Sequence, residues 1–184
     1  MKVRNIMVLA AQLCGRRELA DYLAGKSAAD AGLAESEAEL MLRCYNLTEN
    51  EIALDYLPLW ESEAFCSDGK ILYAAFSKAP VEIQRVSDRA GNKLSFTVQA
   101  DGIRVRAGEA IVTYSHRPKV KAQEDDAELN RKGDARLLAL GTACEFSLMN
   151  GAFDAAAVLD KRYRDALACA CRERGGRMKL RRWV

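Results

Sequence analysis

A single histidine, His116, stands among the 184 residues of this chain. A nucleophile-and-base pair needs a histidine oriented by a third group, and no Ser or Cys motif accompanies this one. The expected place for His116 is an exposed strand end. No run of eighteen apolar residues occurs, which leaves no candidate for a membrane-spanning helix. The twelve glycines nowhere take the spacing of a phosphate cradle; "GTACEFS" is a near neighbour of such loops only in composition. Internal repeats and low-complexity tracts are also missing. These absences together predict a protein that is not an enzyme and that carries no cofactor.

The apolar fraction, 49%, suffices for a packed core, and the length suits one domain with an appendage. The opening "MKVRNIMVLAAQLCGRREL" sets a short apolar stretch behind Lys2 and Arg4. Gln12 interrupts it and no small-residue cleavage site follows, so a cytosolic product is expected. Six cysteines are present. Cys14, Cys44, Cys144, Cys169 and Cys171 fall in helical patterns and Cys66 in a loop, where reduced thiols act as small apolar residues. "CAC" at 169–171 lacks the gap of a zinc knuckle, and no metal site is expected there. The carboxylates of "EDDAE" at 124–128 match no calcium loop and fit a solvated approach to a helix.

Apolar residues recur at helical spacing in "RRELADYLAG", which Gly25 ends, and again over residues 35–56, which Pro58 stops. From Trp60 the period changes. "KILYAAF", "VEIQRVSD", "LSFTVQA", "GIRVR" and "AIVTYSH" are short β-branched or aromatic runs divided by Gly and Pro, with "RAGNKL" as a hairpin connection. They predict an antiparallel β-meander over about 70–117. Phe65, Tyr73, Phe76, Phe96 and Tyr114 are expected in its core rather than stacked on bases, since few cations accompany them. "KVKAQEDDAE" reads as a charged, solvated connector. Helical spacing returns with Leu137, Leu140, Cys144 and Leu148, turns at Asn150 or Gly151, and continues with Phe153, Ala156, Tyr163, Leu167 and Ala170 on one side of a last helix. The predicted class is α+β, mainly helical: N-terminal helices, a small inserted antiparallel meander, a C-terminal helical hairpin and an extended basic tail. Residues 1–174 form a single domain in this reading, and residues 175–184 an arm.

The net charge of +2 is unevenly spread: residues 172–184 carry +5 and the remainder −3. After Gly175 and Gly176 the chain runs Arg177, Met178, Lys179, Leu180, Arg181, Arg182, Trp183, Val184. Two readings compete. As a nucleic-acid arm, the four cations neutralise phosphates with little specificity. As a docking peptide, Met178, Leu180 and Trp183 interleave with Lys179 and Arg181, so that apolar side chains fill pockets while cations meet carboxylates; Trp and Arg dominate many interfaces. The docking reading is preferred, with all eight residues as its site. The arm is too short for a membrane anchor.

The order of segments resembles the head–tail connector (adaptor) proteins of tailed bacteriophages over about residues 38–184. The likeness is carried by "LMLRCYNLTENEIALDYLPLWESEAF", by "DGKILYAAFSKAPVEIQRVSDRAGNKLSF" and "GEAIVTYSHRP", and most clearly by "LLALGTACEFSLMNGAFDAAAVLDKRYRDAL" with the close "KLRRWV". Such proteins show a similar "YLPL"-like helix exit, an "LINGxxxEAxxWDKRY"-like helical corner and an Arg-Arg-Trp ending. The resemblance implies a structural component of the virion neck, made in the host cytoplasm. It implies a dodecameric ring of this chain beneath the portal, extending the DNA channel and offering a platform to the tail or a stopper protein. Residues 177–184 would then reach the portal protein, and genomic DNA would pass the mildly acidic body without sequence-specific binding. A stopper or tail-completion protein of the same neck, and a small nucleic-acid-binding protein with a basic arm, are the alternatives.

Overall fold

A computed structural model describes residues 1–26 and 31–172. Residues 173–184, and with them the expected docking site, lie outside the described residues. The fold is α+β and mainly helical, with five helices and two small antiparallel sheets among the described residues.

Helix α1 spans Val3–Leu13 and buries Val3, Ile6, Met7, Ala10 and Ala11. The short apolar stretch behind Lys2 and Arg4 is thus a core helix, apolar because its inward stripe is fully covered. Gly15, at φ 72°, turns the chain into α2, Arg17–Leu23, which buries Leu19, Ala20 and Leu23. Helix α3, Ala31–Glu51, runs on through a wider turn over Ile52–Tyr56. There the Leu57 N–H reaches back five residues to the Ile52 carbonyl, at 2.7 Å, and Pro58 prevents continuation.

The strands begin earlier than the sequence suggests. β1 covers Leu59–Ser67, β2 Lys70–Leu72, β3 Pro80–Ser87, β4 Phe96–Val98, β5 Gly102–Val105 and β6 Gly108–His116. They form two three-stranded sheets, β1-β6-β3 and β2-β5-β4, rather than one meander over 70–117. Cys66 therefore sits in a strand, opposite Glu109. "RAGNKL" does make a tight turn: Gly91 has φ 85° and the Asn92 N–H donates to Asp88 Oδ1 at 2.8 Å. It leads from one sheet into the other, however, because β3 pairs with β6 and β4 with β5. Gly102 is fixed by close approach, since a Cβ there would lie 2.3 Å from the Ile71 carbonyl oxygen. The sheets share one core in which Phe76 meets Phe65 at 4.7 Å and the edge of Tyr114 at 4.9 Å between ring centroids. The aromatics Phe76 and Tyr114 pack there as expected.

Helix α4, Ala135–Met149, is capped by Asp134, whose Oδ1 accepts from the Leu137 N–H at 2.8 Å. It is buried on almost every side and packs against α1, α3 and α5. Gly141 permits this: a Cβ there would stand 2.4 Å from Thr48 Cγ2 and 2.9 Å from Tyr163 Cε2. Gly151, at φ 71°, is the left-handed cap; the Ala152 N–H returns to the Ser147 carbonyl at 2.9 Å. Helix α5, Phe153–Cys171, then buries Ala156, Leu159, Tyr163 and Leu167. Phe153, expected on that inward side, is 69% exposed.

Candidate interaction surfaces

The connector between β6 and α4 is not merely solvated. The N–H groups of Val3 and Arg4 donate to the Asp125 and Gln123 carbonyls, each at 2.9 Å, which ties it to the start of α1. Its acidic run is spent on cations: Glu124 on Arg4 at 3.2 Å, Asp126 on Lys2 at 3.3 Å, Glu128 on Lys121 at 2.7 Å. Lys121 is only 8% exposed, and a buried ammonium requires such a partner. Among the described residues no group of three or more His, Cys, Asp or Glu is placed to hold a metal ion, and no helix is long and apolar enough to cross a membrane.

Where the connector leaves β6, a polar seam joins the sheets to the helices. His116 is 5% exposed, so the expectation of an exposed strand-end histidine is corrected; β6 is the middle strand of its sheet, and its end is covered by Lys78 and the connector. The Arg117 carbonyl can only accept, so His116 Nδ1 donates to it at 3.0 Å, and Nε2 accepts from Lys78 Nζ at 3.3 Å. Lys78 also pairs with Glu61 at 2.8 Å. Deeper in, Glu49 Oε1 accepts from the Tyr45 hydroxyl and the Glu128 N–H, both at 2.8 Å. Glu49 Oε2 is buried without a partner among the described residues. Burial accordingly pushes the Glu49 carboxyl above its ordinary range, against the pull of those hydrogen bonds and of Lys121. A cleft of about 680 Å³ opens beside this seam, with Glu61 and Glu128 facing Lys78, Arg131 and His116. Its charges are mixed.

The other conspicuous surface lies at the α4–α5 corner. Leu148, Met149 and Phe153 are exposed there. On one side, Leu47, Val120 and Met149 line a hollow rimmed by Arg43, Arg117 and Lys119. On the other, a groove of about 320 Å³ between α3, α4 and α5 has Leu148, Phe153 and Tyr163 along its length and Glu51, Glu145 and Asp160 at its rim. Its one cation, Arg164, is engaged by Asp160 at 2.9 Å. Burial raises the Glu51 carboxyl, the Tyr163 hydroxyl bond opposes this, and Glu145, Asp55 and Asp160 push it further up. The Cys144 thiol at the same groove is pushed up to about 11 by burial, then by Asp160 and Glu145. The groove is apolar in its floor and negative in its field.

Helix α5 ends beside α3, with Cys171 Sγ 3.8 Å from the Tyr56 carbonyl oxygen. Arg177, Met178, Lys179, Leu180, Arg181, Arg182, Trp183 and Val184 follow outside the described residues. Sequence reading singled out those eight and overlooked the groove, whose members are scattered at 51, 145, 148, 153, 160 and 163. The available signal was large apolar residues, Leu148 and Phe153, at a helix corner where small or polar ones suffice. The chain matches no protein-family model and no curated protein.

Proposed function

We propose that this chain is a structural subunit of the neck of a tailed bacteriophage, a head–tail connector that forms a ring beneath the portal. The reading rests chiefly on the C-terminal sequence: cations interleaved with Met178, Leu180 and Trp183 follow a helical hairpin that carries no catalytic motif. Such a segment suits insertion into a partner, where Trp and Arg contribute disproportionately. A ring subunit presents different patches to its two neighbours, and the hollow at Leu47 and Val120, both exposed, is available for one of them. The mildly negative remainder of the chain suits a channel through which DNA slides without being retained. In this role the partners are further copies of the chain, the portal protein, and a tail or stopper protein.

Electron microscopy of the protein mixed with portal rings tests the reading: an added layer of the portal's own symmetry is expected. Deleting residues 179–184 should leave a folded protein that no longer attaches, and a truncated form that still decorates portals ends the proposal. The cation run also favours a second reading, a phosphate-binding arm. There, Arg181→Gln with Arg182→Gln would weaken binding and flatten its salt dependence, whereas Trp183→Ala would matter little. For a connector, Trp183→Ala is the severe change.

A further inference from the structure

We infer that the acidic, apolar groove between α3, α4 and α5 is a docking site for this chain's own residues 177–184. Charge selects the groove. Among the hollows of the described residues, the one at Leu47 and Val120 is rimmed by Arg43, Arg117 and Lys119 and repels a segment with four cations. The cleft at His116 sets Lys78 and Arg131 against Glu61 and Glu128. The hollow on the far side of α5 sets Lys132, Arg136 and Arg162 against Asp134 and Asp165. The α3–α4–α5 groove has the opposite sign, with Glu51, Glu145 and Asp160 against Arg164 alone, and Asp55 adds to its field. Its floor supplies what Met178, Leu180 and Trp183 need: Leu148, and Phe153 at 69% exposure.

Reach agrees. With a helical rise of about 1.5 Å per residue, the groove lies about 16 Å (Asp160) to about 27 Å (Phe153) back along α5 from Cys171. Residues 173–184 span at most about 40 Å, so a reversal at Gly175 and Gly176 leaves enough chain to run back beside α5. Eight residues cover about 26 Å when extended, which is the distance required. Docking within one subunit covers Trp183 and neutralises the crowded carboxylates before assembly. A partner's pocket then competes with the groove for the same segment; this last step alone rests on the connector reading.

The test uses the full chain with Trp60→Phe, so that Trp183 is the only tryptophan, and no portal. Blue-shifted emission and shielding from iodide are expected, both independent of protein concentration. Glu145→Lys should weaken docking about fivefold, as expected for the loss of one or two ion pairs, and raise iodide quenching accordingly. Phe153→Ala, at an exposed site that folding does not need, should do the same and keeps the result interpretable if the charge change perturbs α4. Trp183 quenched as freely in the parent as in both variants overturns the inference. So does shielding that appears only as concentration rises, since the occupant would then come from a second copy. Both groove variants should still attach to portal rings, unlike the 179–184 deletion. If Trp183 is shielded but portals stay bare, the connector reading falls and the groove assignment stands.

Discussion

Among the described residues the helical body gathers 24 buried apolar residues around α4, while the β module holds eight between its two sheets, and the two clusters do not merge. Helix α4, covered on almost every side, ties α1, α3 and α5 into one body. The module has a thin core, short strands in its second sheet and carboxylates used as structural acceptors, such as Glu63 under Ser77 and Tyr114. Large cores tolerate local loss; small ones do not. What joins them is polar: the seam of Glu49, Lys121, Glu128, Lys78 and His116.

Matched cavities should expose the contrast most strongly. Leu138→Ala in α4 and Ile103→Ala in β5 both empty fully buried sites and should each cost about 3 kcal/mol. The first should lower the whole denaturation curve, read by helical circular dichroism. The second should accelerate amide exchange in the strands alone. Equal exchange throughout the chain in both variants would mean that the cores unfold as one and would break the comparison. Gly141→Ala comes next, at about 2 kcal/mol by urea denaturation, because Thr48 and Tyr163 leave its methyl no room.

Acid should separate the regions further. Glu49 and Glu51 are held above their ordinary 4.5 chiefly by burial. Between that value and their folded values the folded state binds more protons, so falling pH through this window stabilises the body. In the module the sign is opposite. Burial pushes Glu63 up, but hydrogen bonds from Ser77 and Tyr114 and the Lys78 charge hold it below 4.5; Asn92 and Lys70 hold Asp88 and Asp101 below 3.8. The stability these three supply is complete above their ordinary values and is lost as pH falls towards their folded ones. Asp126 and Glu128 in the connector behave likewise. Exchange measured from neutral pH down through the carboxylate range should show strands and connector loosening while α1, α3 and α4 hold. Tyr114→Phe is the mildest change, about 1 kcal/mol for one hydrogen bond to Glu63. It should also raise the acid midpoint of the module by returning Glu63 towards its ordinary value.

The sequence revealed the parts whose causes are local. Pro58 marked the end of the long helix, and "MNGAFD" marked the corner, because Gly151 is needed for a left-handed cap. It hid the parts whose causes are distant. In "LWESEAFCS" the inward positions Glu61 and Glu63 look wrong for a strand; they fit because Lys78, Ser77 and Tyr114, remote in sequence, meet them. The connector looked solvated because nothing local shows that Lys121 lies over Glu128 and Asn46. The groove was illegible for the same reason: Glu51, Glu145 and Asp160 are neighbours only after three helices have packed.

The first and last residues of the β module, Leu59 and His116, face each other across one rung of the ladder. The host helices therefore meet their guest at a single doorway. Anything entering and leaving by that doorway, longer, shorter or differently pleated, would leave the framework's own chain path unchanged.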